Sequence, residues 1–194
     1  MTWASGQRSD ARQDPTPGRG WGWGPILTVP AALIWLATAV AATAGPPGFI
    51  RHETPQPLPE VRYLTENGRA GTLDAFRGKV IVLNIWASWC PPCIREMPTL
   101  DALQADLGRA NLQVVALSID TGGVPEVRRF FDRIGIRHLA IQVDPTMLAF
   151  TNLRLSGLPT TLILDADGRE LARLVGPASW NAPEIETFLK AYLR

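Results

Sequence analysis

The sequence predicts an α/β fold, in which helices cover both faces of a mixed sheet, preceded by one membrane-spanning helix. Two apolar runs rich in β-branched residues, 80–87 and 112–119, are typical of strands that are buried on both faces. They alternate with segments in which apolar residues recur every three or four positions, as in amphipathic helices. An uncharged apolar stretch near the N-terminus has the length of one bilayer crossing.

The composition limits the kinds of function that the chain can have. With 19 Lys+Arg and 18 Asp+Glu in 194 residues, the formal net charge is +1, which excludes a nucleic-acid binder driven by bulk charge. The two cysteines, Cys90 and Cys93, exclude a scaffold of several disulfides and a zinc site built from paired Cys-x-x-Cys units. Since there are only two histidines, His52 and His138, a multi-histidine metal centre is not expected either.

Residues 26–44 are predicted to cross the membrane. No charged side chain occurs in residues 20–50, and the 19 residues of 26–44 would span roughly 28 Å as a helix, close to one bilayer core. Three arginines lie in residues 1–25, which the positive-inside rule places in the cytoplasm. The rest of the chain is then periplasmic, on a single-pass protein of the inner membrane. The small residues at 42–44 also fit the cleavage site of a signal peptide, which would release a secreted protein.

A proline-rich linker is predicted at 45–58, before a folded domain at 59–194. The domain begins with a short edge strand at 61–64, which an Asn-Gly turn signal ends. A capped helical turn at 72–76 follows, because it starts with a threonine and Gly78 closes it. These elements lead into the first buried strand.

The central part of the domain has the pattern of two β-α units. The strand predicted at 80–87 leads into a helix at 91–107, whose apolar residues recur every three or four positions up to the stop signal Gly108. The strand predicted at 112–119 leads into a strongly amphipathic helix at 125–134, with aromatic residues on one side and arginines on the other.

The last part of the chain predicts an antiparallel hairpin and a closing helix. A strand at 139–143 and a short helix at 146–152 come first. Strands at 160–164 and 170–175 then flank an Asp-Gly turn, which is a strong hairpin signal. The segment 182–193 is predicted to be the closing helix.

Cys90 and Cys93 carry the candidate chemistry. Cysteines three positions apart at a helix start are neighbours one turn apart, so they can close a disulfide without moving the fold. Cys90 would lie at the N-terminal edge, where free N–H groups and the helix dipole stabilise a thiolate, which makes it the attacking sulfur. Cys93 would then attack the mixed disulfide. A structural disulfide and a metal-binding pair are the alternatives; c-type haem attachment is excluded because Ile94 stands where a histidine is needed.

The Trp-Cys-Pro-Pro-Cys sequence within residues 84–98 resembles the active-site segment of the thioredoxin superfamily. It is similar in particular to the membrane-anchored TlpA/ResA-type thiol–disulfide oxidoreductases, and the resemblance covers residues 59–194. Pro98 matches the position at which the active-site helix of that family kinks, and residues 157–161 match the loop that carries its cis-proline. The β-α unit at 112–136 resembles the insertion that separates this branch from plain thioredoxin.

The resemblance implies a thioredoxin fold with an inserted β-α unit, and it implies roles for three further site residues. Pro159 would be in cis and face the cysteines. The backbone before it, at Leu158, would then be free to pair with the peptide of a partner protein. Trp89 would form an apolar wall for substrate docking beside Cys90; the alternative for Trp89 is a half-buried packing role.

One position departs from the pattern of the superfamily. Thioredoxin carries a buried acid on its central strand, which assists proton transfer to the second cysteine, and Asn84 occupies the matching position here. Because an amide cannot titrate, another group has to take that role. Glu96, one helical turn after Cys93, is the candidate proton-transfer residue. The alternative for Glu96 is a solvated or salt-bridged position on the helix surface.

The resemblance implies a reductant of protein disulfides outside the cytoplasm. The implied targets are the haem-site cysteines of apocytochrome c or copper-site proteins, and the electrons would come from a membrane donor. No dinucleotide cofactor is expected, because the glycine-rich run at 18–24 precedes an apolar segment rather than a strand–helix unit. Three alternatives stay open: a disulfide-introducing oxidant, a copper-delivery module that uses His138, and a peroxidase, although Ala87 stands where peroxidase chemistry needs a threonine.

Overall fold

The computed structural model describes residues 46–193, and within them the chain forms an eight-stranded mixed sheet. The strands are β1 (Ile50–Gln56), β2 (Arg62–Thr65), β3 (Ala70–Thr72), β4 (Val80–Trp86), β5 (Leu112–Ser118), β6 (Gln142–Val143), β7 (Thr160–Leu164) and β8 (Glu170–Val175). The α-helices are α1 (Pro91–Leu107), α2 (Gly123–Ile134), α3 (Leu148–Asn152) and α4 (Pro183–Lys190), and a short 3-10 helix covers Leu73–Phe76. The predicted α/β class is therefore confirmed.

The sheet has the strand order β1-β8-β7-β4-β5-β6-β2-β3. β4, β5 and β6 run parallel to one another, and every other neighbouring pair is antiparallel. All seven residues of β4 are buried. Since successive side chains of a strand point to opposite faces, the centre of the sheet is covered on both sides.

The strongest local signals in the sequence form the elements that they predict. α1 begins at Pro91, because prolines in the first turn lack the N–H groups that would otherwise need hydrogen-bond partners. It ends at Leu107, where Gly108 is the C-cap residue. β4 and β5 lie within one residue of their predicted ends, and β7 and β8 form the predicted hairpin around the Asp-Gly turn.

Three weaker predictions differ from the structure. β2 is not an edge strand, because the Asn-Gly turn folds β3 back onto it and β3 takes the edge. β6 has two residues rather than five; the backbone N–H of Leu139, at the predicted start of the strand, donates to the carboxylate of Asp101 instead of to a neighbouring strand. α4 ends at Lys190 rather than at residue 193.

The segment 45–58, which was predicted to be a linker, contains strand β1 and contributes to the sheet. β1 pairs antiparallel with β8, and the His52 Nε2 atom lies 3.0 Å from Glu170 Oε1 on that strand. A proline is compatible with β1 because this is an edge strand, where a missing N–H on the solvent side leaves no ladder bond unmade. The sheet thus begins at Ile50 rather than after the predicted boundary at residue 59.

The predicted cytoplasmic segment 1–25 and membrane-spanning segment 26–44 lie outside the described residues. Within residues 46–193, no helix combines the length and the apolar character needed to cross a bilayer.

Candidate active site

Three strand ends bring the site residues together at one edge of the sheet. β4 and β5 are parallel and in register, with Trp86 opposite Ser118, so the loops that follow them leave from the same edge. β7 is antiparallel to β4 and starts there, with Thr160 opposite Ile85. The topology therefore places the loop after β4, the loop after β5 and the loop before β7 side by side.

Cys90 and Cys93 are joined by a disulfide at the start of α1. Cys90 is the N-cap residue, and its Sγ accepts a hydrogen bond of 3.3 Å from the backbone N–H of Cys93. Cys90 is 5% exposed and Cys93 is 0% exposed, so the first cysteine is the one that a partner can reach. A helix N-terminus that points at Cys90 favours its thiolate once the disulfide is reduced.

An apolar groove of about 390 Å³ opens beside Cys90. None of the residues that line it is charged: they are Trp89, Cys90, Pro91, Pro92, Ile119, Met147, Phe150, Gly157 and Leu158. Trp89 is 62% exposed, which is too exposed for the packing role that was its alternative. Its ring forms part of the groove wall, where it can contact a docked polypeptide.

The loop before β7 carries the cis peptide bond that the resemblance implies, between Leu158 and Pro159. The Pro159 carbonyl is occupied, because it accepts a hydrogen bond of 2.8 Å from Gly176 N. Within residues 46–193, by contrast, neither the N–H nor the C=O of Leu158 makes a hydrogen bond. The Leu158 backbone at the groove is therefore available to pair with an extended chain.

Glu96 is buried in α1 and is not the solvated or salt-bridged residue that was its alternative. It is 2% exposed, and its carboxylate accepts hydrogen bonds from Asn84 Nδ2 at 2.7 Å, Ala178 N at 3.0 Å and Trp180 Nε1 at 3.0 Å. Burial raises the pKa of Glu96 above its ordinary value, while the three hydrogen bonds, that of Trp180 first, oppose the rise. A buried carboxyl with a raised pKa, one turn from Cys93, is suited to exchanging a proton with it.

Asn84 lies fully buried on β4, at the position where thioredoxin has its acid. Its Nδ2 donates to Glu96 Oε1 and, at 2.9 Å, to Thr161 Oγ1. The amide on β4 therefore orients the carboxylate of Glu96 on α1 through a hydrogen bond.

Asp120 supports the active-site loop, and sequence reasoning did not identify it. The residue is fully buried just after β5, and its carboxylate accepts hydrogen bonds from Ser88 N at 2.9 Å and from the hydroxyls of Ser88 and Ser118 at 2.9 and 2.7 Å. The available signal was an acid shortly after a buried parallel strand. Because β4 and β5 end at the same edge of the sheet, such an acid lies next to the loop that follows β4.

Met147 is a second site residue that the sequence did not indicate. It has a positive φ of 59°, which is uncommon for a bulky residue, and it lies 38% exposed on the groove wall.

His138, the histidine of the copper-delivery alternative, lies exposed in the loop between α2 and β6. In the part of the chain that the structure describes, no group of three or more His, Cys, Asp or Glu residues is arranged to hold a metal ion.

Comparisons with known proteins agree with this geometry. The Redoxin family model matches residues 53–189. The thiol-disulfide oxidoreductase ResA of Geobacillus kaustophilus (strain HTA426) is 30% identical over 157 residues, which are 79% of each chain. The thiol:disulfide interchange protein CycY of Rhizobium leguminosarum bv. viciae is 33% identical over 105 residues, which are 54% of each chain.

A solved structure supports the fold. The crystal structure of a thiol:disulfide interchange protein of the thioredoxin family from Chlorobium tepidum TLS covers 74% of this chain and 99% of its own, with a TM-score of 0.58 at 24% identity. The chain therefore belongs to the Redoxin family and is a thiol–disulfide oxidoreductase of the TlpA/ResA type within the thioredoxin superfamily.

Proposed function

We propose that the protein reduces disulfides of exported proteins on the periplasmic side of the inner membrane, held there by residues 26–44. The observation that carries the proposal is the juxtaposition of Cys90, the uncharged groove and the Leu158 backbone, which makes no hydrogen bond to any residue that the structure describes. An extended polypeptide can pair with Leu158 while its sulfur approaches Cys90. The resemblance of residues 84–98 to the TlpA/ResA type supports the reducing direction and, as targets, the haem-site cysteines of apocytochrome c or copper-site proteins.

The first step forms a mixed disulfide. The Cys90 thiolate of the reduced enzyme attacks one sulfur of the substrate disulfide, the substrate S–S bond breaks, and the other substrate sulfur leaves as a thiolate. The N–H of Cys93 points at Cys90 Sγ and stabilises the attacking thiolate. The groove holds the polypeptide in place during the exchange.

The second step releases the substrate. Cys93 transfers its proton to the carboxylate of Glu96, and the Cys93 thiolate then attacks Cys90 Sγ. The Cys90–Cys93 disulfide forms and the second substrate sulfur leaves as a thiolate. The substrate thus gains two electrons, and its two thiolates take up protons from Glu96 and the solvent. A membrane dithiol donor restores the reduced enzyme by the same exchange in reverse.

The reduction potential of the Cys90–Cys93 couple tests the direction of electron flow. For a reductant we expect a value near that of thioredoxin, about −270 mV, when the purified protein is equilibrated with glutathione and the free thiols are counted. A value near −120 mV would mean that the reduced form is strongly stabilised, and the protein would then be an oxidant that introduces disulfides.

The location and the target are tested separately. A reporter that is active only outside the cytoplasm, fused to the C-terminus, should be active, and activity of a cytoplasmic reporter alone would contradict the proposed topology. For the target, kcat/KM is compared between an oxidised apocytochrome c, an oxidised copper-site protein and insulin as a general disulfide substrate. Equal values for all three would contradict a dedicated target.

Replacing Glu96 with glutamine tests the proton transfer. In the wild type we expect the rate of the second step to fall as the pH drops through the pKa of Glu96, because a protonated carboxyl cannot accept the proton of Cys93. This fall of the rate at low pH, the acid limb of the pH profile, should be absent in Glu96→Gln. The rate at neutral pH should fall by about 10²-fold, as is typical for loss of a general base. The measurement is the single-turnover release of the second substrate thiol over a pH series.

The matched control is Glu170→Gln. Glu170 is also a buried glutamate, at 3% exposure, but its carboxylate contacts His52 and Arg173 between β1 and β8. The control should therefore keep the acid limb. An unchanged pH profile in Glu96→Gln would end the role proposed for Glu96.

A further inference from the structure

We propose that Trp180 is a positioning residue for Glu96, and that its indole N–H keeps the buried carboxylate available as a proton acceptor. This inference rests on the role proposed for Glu96 above. Trp180 lies in the loop 176–182 between β8 and α4, and no sequence motif marks it. The loop reaches Glu96 through the indole N–H of Trp180, while Asn84 on β4 donates to the other carboxylate oxygen.

The carboxylate of Glu96 is held between two elements. Asn84 Nδ2, from β4, donates to Oε1 at 2.7 Å. Trp180 Nε1 and Ala178 N, both from the loop 176–182, donate to Oε2 at 3.0 Å each. Both oxygens are therefore occupied by N–H donors, and the loop supplies two of the three.

The indole of Trp180 is itself fixed in place. Its side chain is fully buried, and its backbone N–H donates to Thr99 Oγ1 at 3.1 Å. Thr99 in turn donates to the carbonyl of Glu96 at 2.8 Å, so the loop is tied to the same helical turn twice. Phe49, just before β1, packs edge-on against the indole with ring centroids 6.2 Å apart. The N–H donor therefore needs little reorganisation when the carboxylate changes its charge.

The donors to Glu96 are all neutral, which makes each of them important for its ionisation. The loop 176–182 contains no titratable residue, and β4 contributes only Asn84. Along α1, Cys93 lies one turn before Glu96, Arg95 is exposed, and Asp101 is engaged by the backbone of residues 137–139. Since burial disfavours the charged carboxylate and only hydrogen bonds favour it, loss of a donor should make Glu96 protonate at higher pH.

The test is Trp180→Phe in the full-length protein, compared with Trp86→Phe. Both substitutions remove an N–H from a fully buried indole, but Trp86 Nε1 makes no hydrogen bond within the described residues and its ring packs against Phe130 and Phe131 of α2. For Trp180→Phe we expect the acid limb of the second step to move to higher pH. On that limb the rate should fall by about tenfold, and the difference should close as the pH rises. For Trp86→Phe we expect the wild-type pH profile.

A second measurement uses the wild type and needs no folded Trp180 variant. In the ¹⁵N-labelled oxidised protein, the indole N–H resonance of Trp180 should move with pH as Glu96 titrates, and it should be insensitive to pH in Glu96→Gln. The resonance of Trp86 should not follow that titration in either protein. A Trp180 resonance that is insensitive to pH in the wild type would overturn the inference.

The outcomes separate this inference from the proposed function. An unchanged limb in Trp180→Phe, with the limb abolished in Glu96→Gln, would overturn the positioning role and leave the proton transfer in place. The same displacement in Trp180→Phe and Trp86→Phe would assign the effect to packing and also overturn it. An unchanged profile in Glu96→Gln would remove the proposed proton transfer and this inference together.

Discussion

A Cys93→Ser protein is expected to complete the first half-reaction and then to stop. Cys90 lies at the groove and can still attack the substrate, whereas a serine hydroxyl cannot displace the bound sulfur from the mixed disulfide. The substrate should therefore stay covalently attached to Cys90. Turnover should fall by at least about 10³-fold, in the range that the loss of a reacting group causes. Mass spectrometry of the non-reduced adduct and steady-state turnover measure the two effects.

The matched variant is Cys90→Ser, which should give neither turnover nor a stable adduct. Cys93 is fully buried behind Cys90, so it cannot take over the first attack. A stable adduct in Cys90→Ser and none in Cys93→Ser would reverse the roles assigned to the two sulfurs. Full turnover in both variants would exclude the pair as the redox centre.

Replacing Asp120 with alanine is expected to weaken both the fold and the catalysis. The substitution leaves the N–H of Ser88 and two hydroxyls without their acceptor in a buried site, which should cost about 2–3 kcal/mol of unfolding free energy. Ser88 lies two residues before Cys90, so the loop that presents the sulfur loses its anchor. We expect kcat/KM to fall by about 10²-fold, because small displacements of reacting atoms have effects of that size.

Asp101→Ala provides the control for Asp120→Ala. Asp101 is also a buried aspartate that accepts backbone N–H groups, but these belong to residues 137–139 in the loop between α2 and β6. The control should lose stability in chemical denaturation and keep kcat/KM at temperatures where it is folded. An equal loss of kcat/KM in the two variants would show that Asp120 acts through stability alone.

Much of the fold could be predicted from the sequence because the informative signals are local. The buried runs that form β4 and β5 and the Asp-Gly turn between β7 and β8 each act over a few residues. β1 could not be predicted in this way, because it lies in a proline-rich stretch that is typical of a linker and its partner β8 lies more than a hundred residues away. Pairing with a distant strand outweighed the local preference.

In the candidate site, too, some features follow from adjacent residues and others depend on residues that are distant along the chain. By itself, the sequence determined the redox pair: the spacing of Cys90 and Cys93, the first-turn prolines after Cys90 and the resemblance of the surrounding segment are all properties of adjacent residues. Only the tertiary structure decided the environment of Glu96. Its donors Ala178 and Trp180 stand 82 and 84 residues away along the chain, and no local pattern records that they meet it. A carboxyl group takes its ionisation from its burial and its hydrogen-bond donors, so its chemistry is determined only once the distant strands and loops have assembled around it.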